Sequence, residues 1–343
     1  MRPKQTLNPI KIYDRISGCL YGGAVGDALG YSVEFDSIAE IYAEYGLCGI
    51  TEPVDECGFA EVSDDTQMTL FTLEAILRAR SLKLLEPKLI TVEIRKSYLD
   101  WYSTQLGALV QGMAMGALSR HKVLHKQQAP GANTMEMLGL GAEGCPEKPI
   151  GNSAGCGAVM RVAPVGFMTA LGFPAGLESE VALHSAALTH GHRNALWPSV
   201  ALAIIIAGLV AGDDLDAAIS AAKQHLNSVA DARETLSVLD KAFELRLDAD
   251  GDSHPHRIGR LGQGWVGHEA LAIAIYAVAS GTDYKQVIQI AANHDGDSDS
   301  TASIAGQIYG AWKGIGAIPE DWIERLDIKR TMEFAVNLIQ TWV

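Results

Sequence analysis

The sequence is poor in cysteine and in positive charge, and both shortages exclude classes of protein. Its five cysteines, Cys19, Cys48, Cys57, Cys145 and Cys156, are odd in number and have neither a zinc-site spacing nor the pattern of a disulfide framework. We therefore expect reduced thiols and a cytoplasmic protein. Lys and Arg total 27 against 41 Asp and Glu, a formal net charge of −14, so the sequence predicts neither nucleic acid nor an anionic membrane as a partner.

Long apolar runs and strand patterns are scarce as well. No apolar segment precedes Ile10, which argues against a signal peptide, and the most apolar run, residues 200–210, is too short to span a bilayer. Few segments alternate apolar and polar residues, and no internal repeat is visible. Helical periodicity dominates the 343 residues, so we predict an all-α fold with a polar N-terminal leader, residues 1–11, and one multi-helix domain, residues 12–343.

The apolar periodicity places helices along most of the chain and leaves two long polar segments between them. The longer one, residues 121–153, is rich in Gly and Pro, and loops of this length are commonly functional. The other, residues 248–260, is predicted to be a charged, solvated turn, and Asp100 is predicted to be a solvated surface acid. The predicted helices cover residues 12–29, 67–80, 88–104, 108–119, 182–189, 194–211, 213–226, 229–245, 268–280, 285–292 and 303–313.

An acidic run towards the C-terminal end, residues 294–301, carries aspartates at alternate positions: Asp295, Asp297 and Asp299. Hydroxyl side chains lie between them, and the run contains no Lys or Arg. Carboxylates this close repel one another unless a cation holds them, and oxygen ligands suit Mg²⁺, Ca²⁺ or Mn²⁺. Because helical patterns flank the run, we predict a tight metal-binding loop between two helices.

Other structures explain the same run less well. An EF-hand loop starting at Asp295 would need Gly and Glu where Ser300 and Gly306 stand, so it is excluded. An aspartyl-phosphate phosphatase would carry its Asp-x-Asp-x-Thr motif after a buried strand, early in an α/β domain. A solvated acidic loop without metal stays open when the run is considered alone.

A second acidic cluster, Ser63-Asp64-Asp65-Thr66, precedes the predicted helix at 67–80. Asp, Ser and Thr are good N-caps, so capping explains part of this cluster. With Asp297, Asp299 and Ser300 it nevertheless supplies enough oxygen ligands for two metal ions. Two-metal sites activate a water for hydrolysis, so the pair of clusters favours a binuclear centre.

Two residues near the end of the first predicted helix are further candidates. Asp27 lies among glycines in that helix, and it fits a buried hydrogen-bonded residue as well as a direct site residue. Glu34 follows the helix and is predicted to be a mobile acid.

Two later segments also point to a ligand. The glycine-rich segment 151–164 lets the backbone approach a ligand, and clustered N–H groups suit phosphate. Of His190 and His192, which do not face one another at this spacing, one is predicted to reach the site and the other to cap a helix or lie on the surface.

These motifs follow one another in an order that resembles the ADP-ribosylglycohydrolase family, which includes dinitrogenase reductase activating glycohydrolase and the ADP-ribosylarginine hydrolases. The resemblance extends over residues 15–317. The motifs are Gly26-Asp27-Ala28-Leu29-Gly30 with Glu34, Ser63-Asp64-Asp65-Thr66-Gln67-Met68, Gly155-Cys156-Gly157-Ala158-Val159-Met160-Arg161, Thr189-His190-Gly191-His192, Gly264-Trp265-Val266, and Gly296-Asp297-Ser298-Asp299-Ser300.

The resemblance implies an all-α fold around a binuclear centre of two Mg²⁺ or Mn²⁺ ions. Serine stands at positions 63 and 300, where the family often has threonine, and it keeps the hydroxyl. Asp295 stands where the family commonly has glycine and would add a negative charge beside the metals. The implied roles are metal ligation by Ser63, Asp64, Asp65, Asp297, Asp299 and Ser300, catalysis by Asp65 and Glu34, and substrate binding by Gly155, Cys156, Gly157, Ala158, His190, Gly264 and Trp265.

The implied function is metal-dependent removal of ADP-ribose from a modified protein, most readily from arginine through its N-glycosidic bond. Serine-linked or free ADP-ribose derivatives are alternative substrates. A non-catalytic binding protein on the same fold is the alternative of a different class, and the intact acids of both clusters argue against it. The implied partners are an ADP-ribosylated protein and, if the enzyme antagonises a toxin or regulator, an ADP-ribosyltransferase.

Overall fold

The computed structural model describes residues 8–54, 58–107, 116–247 and 251–342. Within these ranges the chain forms α-helices and short 3-10 turns with no β-strand, which confirms the all-α prediction. The α-helices are α1 (Pro9–Tyr31), α2 (Ile38–Tyr45), α3 (Asp64–Ser81), α4 (Pro87–Gln105), α5 (Ala132–Gly139), α6 (Leu177–Ala187), α7 (Arg193–Ala211), α8 (Leu215–Leu226), α9 (Arg233–Leu247), α10 (His254–Gly259), α11 (Gly267–Ser280), α12 (Tyr284–Ala292), α13 (Ser298–Lys313), α14 (Glu320–Glu324) and α15 (Lys329–Ile339).

The first helix begins earlier than its apolar pattern predicts. The Asn8 side chain accepts a hydrogen bond from the Ile10 N–H at 2.7 Å, and Pro9 occupies the first helical position, where its missing N–H costs nothing. Residues 9–11 of the predicted leader are therefore helical, and residues 1–7 lie outside the described residues. Of the predicted helix at 108–119, residues 108–115 also lie outside them, and Leu118–Arg120 is a 3-10 turn.

Helices α1 and α13 form the centre of the domain and pack antiparallel with their backbones in contact. Glycines at every fourth position of α1 face α13, and a Cβ on any of them would collide with α13 backbone. Gly18 lies against Gly310, and Gly30 lies against Ser298, so the first turn of α13 is seated on the end of α1. The glycine pattern of α1 thus serves close helix packing.

The remaining helices surround this pair. Helices α3, α7, α11 and α12 pack directly on it, and α4, α6, α8 and α9 form the outer part of the fold. Helix α7 is long and apolar enough to cross a membrane by length and composition, counted over Arg193–Val210, so the apolar segment is longer than the run at 200–210 indicates. Because 72% of that window is buried inside the fold, α7 is here a core helix.

Three predictions about polar residues are wrong in detail. The segment 121–153 contains α5 and a 3-10 turn, Lys122–His125, and the segment 248–260 contains α10. Asp100 is buried, and it accepts a hydrogen bond from the Gly116 N–H at 2.9 Å. Burial raises the pKa of Asp100, since the helix face that carries it packs against the interior.

Candidate active site

The start of α3 is held in place by Asp27 of α1. The Asp27 carboxylate accepts hydrogen bonds from the N–H groups of Ser63 and Thr66 at 2.9 and 3.0 Å and from the Thr66 hydroxyl. Burial, with repulsion from Asp299, raises the pKa of Asp27 to about 7. Asp27 is therefore a buried positioning residue, which settles the choice that its sequence context leaves open.

The side chain of Ser63 is the N-cap of α3. Its hydroxyl accepts from the Asp65 N–H at 3.2 Å, and Ser63 is not among the residues that line the cavity described below. The capping role expected at this cluster thus falls on Ser63, and metal ligation by Ser63 stays a prediction. Asp64 and Asp65, in the first turn of α3, do reach the cavity.

The first half of the acidic run, residues 294–297, forms the predicted tight turn between α12 and α13, whereas residues 298–301, predicted to belong to the loop, form the first turn of α13. Asp297 is the N-cap of α13 and accepts from the Ser300 N–H at 3.3 Å, while the Asp297 N–H donates to the Gln263 carbonyl at 2.8 Å. The preceding Gly296 has a φ of +133°, a conformation that favours glycine. This turn directs Asp297, Asp299 and Ser300 into the cavity.

Asp295 faces away from this cavity. Its carboxylate is exposed and accepts from the Ile38 N–H at 2.9 Å, at the first residue of α2. The extra charge that the sequence places beside the metals therefore lies on the surface and anchors α2.

The two acidic clusters meet in a cavity of about 440 Å³, a size typical of small-molecule sites. Among the residues that the structure describes, no Lys or Arg lines it. Ala158 is buried behind the cavity, and Gly264, with a φ of +87°, shapes the turn beside it without lining it. The lining residues that carry polar or aromatic groups are Glu34, Phe35, Asp64, Asp65, Asn133, Thr134, Ser153, Cys156, His190, Trp265, Asp297, Asp299 and Ser300.

The carboxyl groups of this cavity form a buried and mutually repelling set. Oxygens of Glu34, Asp297 and Asp299 lie within 4.8 Å of one another. Burial, followed by repulsion from Asp299, raises the pKa values of Asp64, Asp65 and Asp297 well above the usual range and that of Glu34 to about 10. Among the described residues, Asp65 Oδ1 and Glu34 Oε2 are buried and have no hydrogen-bond partner. Hard divalent cations would satisfy these oxygens and reverse the pKa shifts, so this set fits them.

Cys156 belongs to this acidic set as well as to the glycine-rich loop. Its thiol donates to Asp297 Oδ2 at 2.8 Å and accepts from the Ser300 hydroxyl at 3.5 Å. Burial and the charge of Asp297 raise the pKa of the thiol well above its ordinary value. The side chain thus contacts two predicted metal ligands, a position that the sequence motif alone does not reveal.

His190 lines the cavity as a neutral imidazole. Burial and the nearby Arg161 lower its pKa to about 3. The Thr189 hydroxyl accepts from the Arg161 guanidinium at 2.6 Å and lies 2.8 Å from His190 Nδ1. The hydroxyl proton is therefore available to Nδ1, which leaves the ring proton on Nε2. His192 caps α7, accepting from the Asn194 N–H, so one histidine reaches the site and the other caps a helix, as predicted.

Two groups of lining residues are missing from the sequence-based site. Phe35 directly follows Glu34, and its exposure is visible only in the fold. Residues 129–134 come from the long polar segment: the Gly131 N–H donates to Asp64 Oδ2 at 3.2 Å, and the Asn133 amide donates to the Thr189 carbonyl at 3.0 Å. The unusual length of that segment was the one available signal.

The fold and the site define an all-helical protein whose two acidic helix starts converge on one cavity, and comparison with known proteins shows the family. The ADP-ribosylglycohydrolase family model matches residues 8–342. The chain belongs to the ADP-ribosylglycohydrolase family, and it is an ADP-ribosyl hydrolase.

Several relatives share nearly the whole chain. The ADP-ribosyl-(dinitrogen reductase) glycohydrolase of Rhodospirillum rubrum is 27% identical over 93% of this chain and 92% of its own length. The ADP-ribosylarginine hydrolase Tri1 of Pseudomonas putida is 26% identical over 94% of this chain and 76% of its own length. A solved ADP-ribosylglycohydrolase-related protein complex covers 97% of this chain and 99% of its own, with a TM-score of 0.58 and 25% identity.

Proposed function

We propose that this protein removes ADP-ribose from modified arginine side chains of proteins by metal-dependent hydrolysis of the N-glycosidic bond. The observation that carries the proposal is the convergence of two buried acidic clusters in a cavity whose described lining contains no Lys or Arg. Such a cavity disfavours the substrate's diphosphate unless cations are bound, whereas it favours a cationic leaving group. The names of the two relatives above, a dinitrogen reductase glycohydrolase and an ADP-ribosylarginine hydrolase, support the same reading.

The residues suited to hold two Mg²⁺ or Mn²⁺ ions are Asp64, Asp65, Asp297, Asp299 and Ser300, with Glu34 beside them. When bound, such ions supply Lewis acidity and a water of lowered pKa. Asp27 and the cap at Ser63 fix the start of α3, which carries Asp64 and Asp65, and the turn at Gly296 fixes the start of α13, which carries the other three. The protein therefore orients both halves of the set before a ligand arrives.

We assign proton transfer to two carboxylates from different parts of the chain, Glu34 and Asp65, which line the same cavity. Glu34, on the turn after α1, has a buried oxygen without a partner among the described residues, which supports a role in holding or moving a proton at the bond being broken. Asp65, in the first turn of α3, also has a buried oxygen without a partner in the described part of the chain, which supports a role in accepting a proton from the attacking water. His190 offers an uncharged Nε2–H donor, and Gly157, next to His190 and Thr134, lets the loop at 155–158 approach the substrate.

The test measures release of free ADP-ribose from an arginine-ADP-ribosylated protein with Mg²⁺, with Mn²⁺ and with chelator. Asp297→Asn is expected to lose activity and to bind Mn²⁺ more weakly in calorimetry, a readout independent of turnover. Asp295→Asn is the matched control, because Asp295 lies in the same run but faces α2. Metal binding without release would move the proposal to serine-linked or free derivatives, and neither binding nor release would leave the non-catalytic binding protein.

An ADP-ribosyltransferase partner and a cytoplasmic location stay predictions from the sequence. Deletion of residues 1–11 would test whether the predicted leader binds such a transferase. This deletion would also remove the first residues of α1, which begins at Pro9. Deletion of residues 1–7 is therefore the cleaner experiment: if binding to a transferase persists, the leader has no part in it.

A further inference from the structure

Two large aromatic side chains stand exposed at the mouth of the cavity. Phe35 is 75% exposed and Trp265 is 39% exposed, and their rings stack with centroids 6.1 Å apart and an angle of 20° between planes. They come from separate parts of the chain, the turn after α1 and the loop before α11. Exposed aromatic rings that line a cavity are a feature of ligand recognition rather than of core packing.

Backbone hydrogen bonds hold the segment that carries Trp265 at one side of the cavity mouth. Its carbonyl accepts from the Cys156 N–H at 3.1 Å, and the next peptide is fixed by the Gly267 N–H, which donates to the Ala154 carbonyl at 2.9 Å. Phe35 lies on a short turn between α1 and α2 and has solvent on most of its surface. The backbone that carries Trp265 is therefore fixed, and the more exposed Phe35 has room to shift.

The charge around the pair selects the kind of group that it stacks. Phe35 directly follows Glu34, and Trp265 lies in the loop whose Gln263 carbonyl accepts from the Asp297 N–H. The faces of both rings carry the negative end of the aromatic quadrupole, and the described residues that line the cavity beneath them include several carboxylates and no Lys or Arg. A planar cation satisfies both features at once, whereas a neutral hydroxyl side chain satisfies neither.

We propose that the Phe35–Trp265 pair stacks the guanidinium group of an ADP-ribosylated arginine and thereby determines the preference for arginine over serine linkage. The inference rests on the proposed function. A planar group between two rings needs two contacts of about 3.5 Å, or roughly 7 Å in all. The ring centroids lie 6.1 Å apart, so the two planes are closer together than this requires, and Phe35 has to move outward when the substrate enters.

The pair holds the leaving group while the bond beside it is exchanged. The C1″–N bond breaks and its electron pair goes to the guanidine nitrogen; a water oxygen forms the new bond to C1″. One proton of that water ends on the guanidine nitrogen, so arginine leaves as a guanidinium and ADP-ribose is released. Both faces of the leaving group stay in contact with a ring throughout, which orients it for the exchange.

The experiment compares Phe35→Leu and Trp265→Leu on arginine-linked and serine-linked ADP-ribosyl peptides, together with the Ki of free ADP-ribose as a product inhibitor. Matched controls are Phe59→Leu and Trp342→Leu, exposed aromatic residues that do not line this cavity. Stacking of a cation on one ring predicts a loss of about 10-fold in kcat/KM on the arginine-linked peptide for each variant. The Ki of ADP-ribose should stay within about 2-fold, and Phe35→Tyr should restore the rate.

The possible outcomes distinguish a failure of guanidinium stacking by the Phe35–Trp265 pair from a failure of the proposed function. If the wild type hydrolyses the arginine-linked peptide and both leucine variants do so equally well, stacking by the Phe35–Trp265 pair is refuted and the proposed function stands. If the leucine variants raise the Ki of free ADP-ribose by as much as they lower kcat/KM, the rings contact the product itself, for example by stacking its adenine, and the inference fails. If the wild type binds ADP-ribose but hydrolyses only the serine-linked peptide, the proposed arginine activity fails with it.

Discussion

Replacing Gly22 with alanine tests whether the close approach of α1 and α13 determines both stability and the geometry of the site. An alanine Cβ at this position would lie 2.4 Å from the Gly306 carbonyl oxygen. The optimal van der Waals separation of non-bonded heavy atoms is about 3.5 Å, so the helices must separate by about 1 Å. Because the obstructing atom belongs to the backbone, no side-chain rotation relieves the collision.

The magnitude follows from two opposing effects. Overpacking a close-packed core costs about 3 kcal/mol at the upper end of its usual range, and backbone against backbone belongs there. Alanine regains about 1 kcal/mol through its better helix propensity. We therefore expect the free energy of unfolding in urea to fall by about 2 kcal/mol with an unchanged m-value.

The same separation reaches the acidic clusters. Asp299 lies in the first turn of α13, and α1 carries Asp27, which holds the start of α3. Moving α1 from α13 widens the gap between the two halves of the site, so Mn²⁺ affinity measured by calorimetry should also fall. Gly259→Ala is the control, because a Cβ there meets none of the described residues within 4 Å. Equal unfolding free energies for the two variants would refute the reasoning.

Three further predictions concern the buried polar groups of the site. Because the folded protein holds the pKa of Glu34 at about 10, against 4.5 for an ordinary glutamate, it keeps a proton that the unfolded chain releases between these values. In chelator, thermal stability should therefore fall as pH rises from 5 to 9, and added Mg²⁺ should raise it more at pH 9. Asp27→Asn turns one acceptor into a donor facing the N–H groups of Ser63 and Thr66, which should cost about 1–3 kcal/mol in urea unfolding and weaken Mn²⁺ binding. In chelator at pH 8, iodoacetamide should modify the exposed Cys48 well before Cys156, as peptide mass mapping would show.

For each of these three predictions, one outcome would contradict the reasoning. A stability in chelator that is flat or rises between pH 5 and 9 would mean that the carboxyl set is not protonated in the folded protein. An Asp27→Asn variant as stable as Asp295→Asn, whose hydrogen bond is at the surface, would remove the positioning role of Asp27. Alkylation of Cys156 as fast as that of Cys48 would show that its thiol is not held by Asp297.

Much of the site could be predicted from the sequence, because it depends on interactions between neighbouring residues. The capping pattern at Ser63 and the alternating acids at Asp297 and Asp299 each mark the start of a helix, because hydroxyl and carboxylate groups satisfy free N–H groups there. The opposite roles of His190 and His192 follow from their spacing, two residues apart. These features depend on neighbours within one or two turns, which a sequence displays directly.

Long-range packing decided what the sequence left open or placed wrongly. Asp100 looked like a surface acid because its own helix pattern does not show what packs upon it. The charge of Asp295 was expected beside the metals, but its turn carries it to the first N–H of α2. Phe35 has no motif of its own, and it joins the site only because the end of α1 and the loop before α11 meet there.

The sequence by itself determined the helical class, the family resemblance and the two acidic clusters, since periodicity, capping and motif order are properties of neighbouring residues. Only the tertiary structure decided that glycines on α1 and α13 bring the clusters into one cavity, and that residues 129–134 and an aromatic pair complete it. The physical reason is that burial and proximity depend on which distant segments pack together. The same packing sets the carboxyl pKa values through desolvation and mutual repulsion.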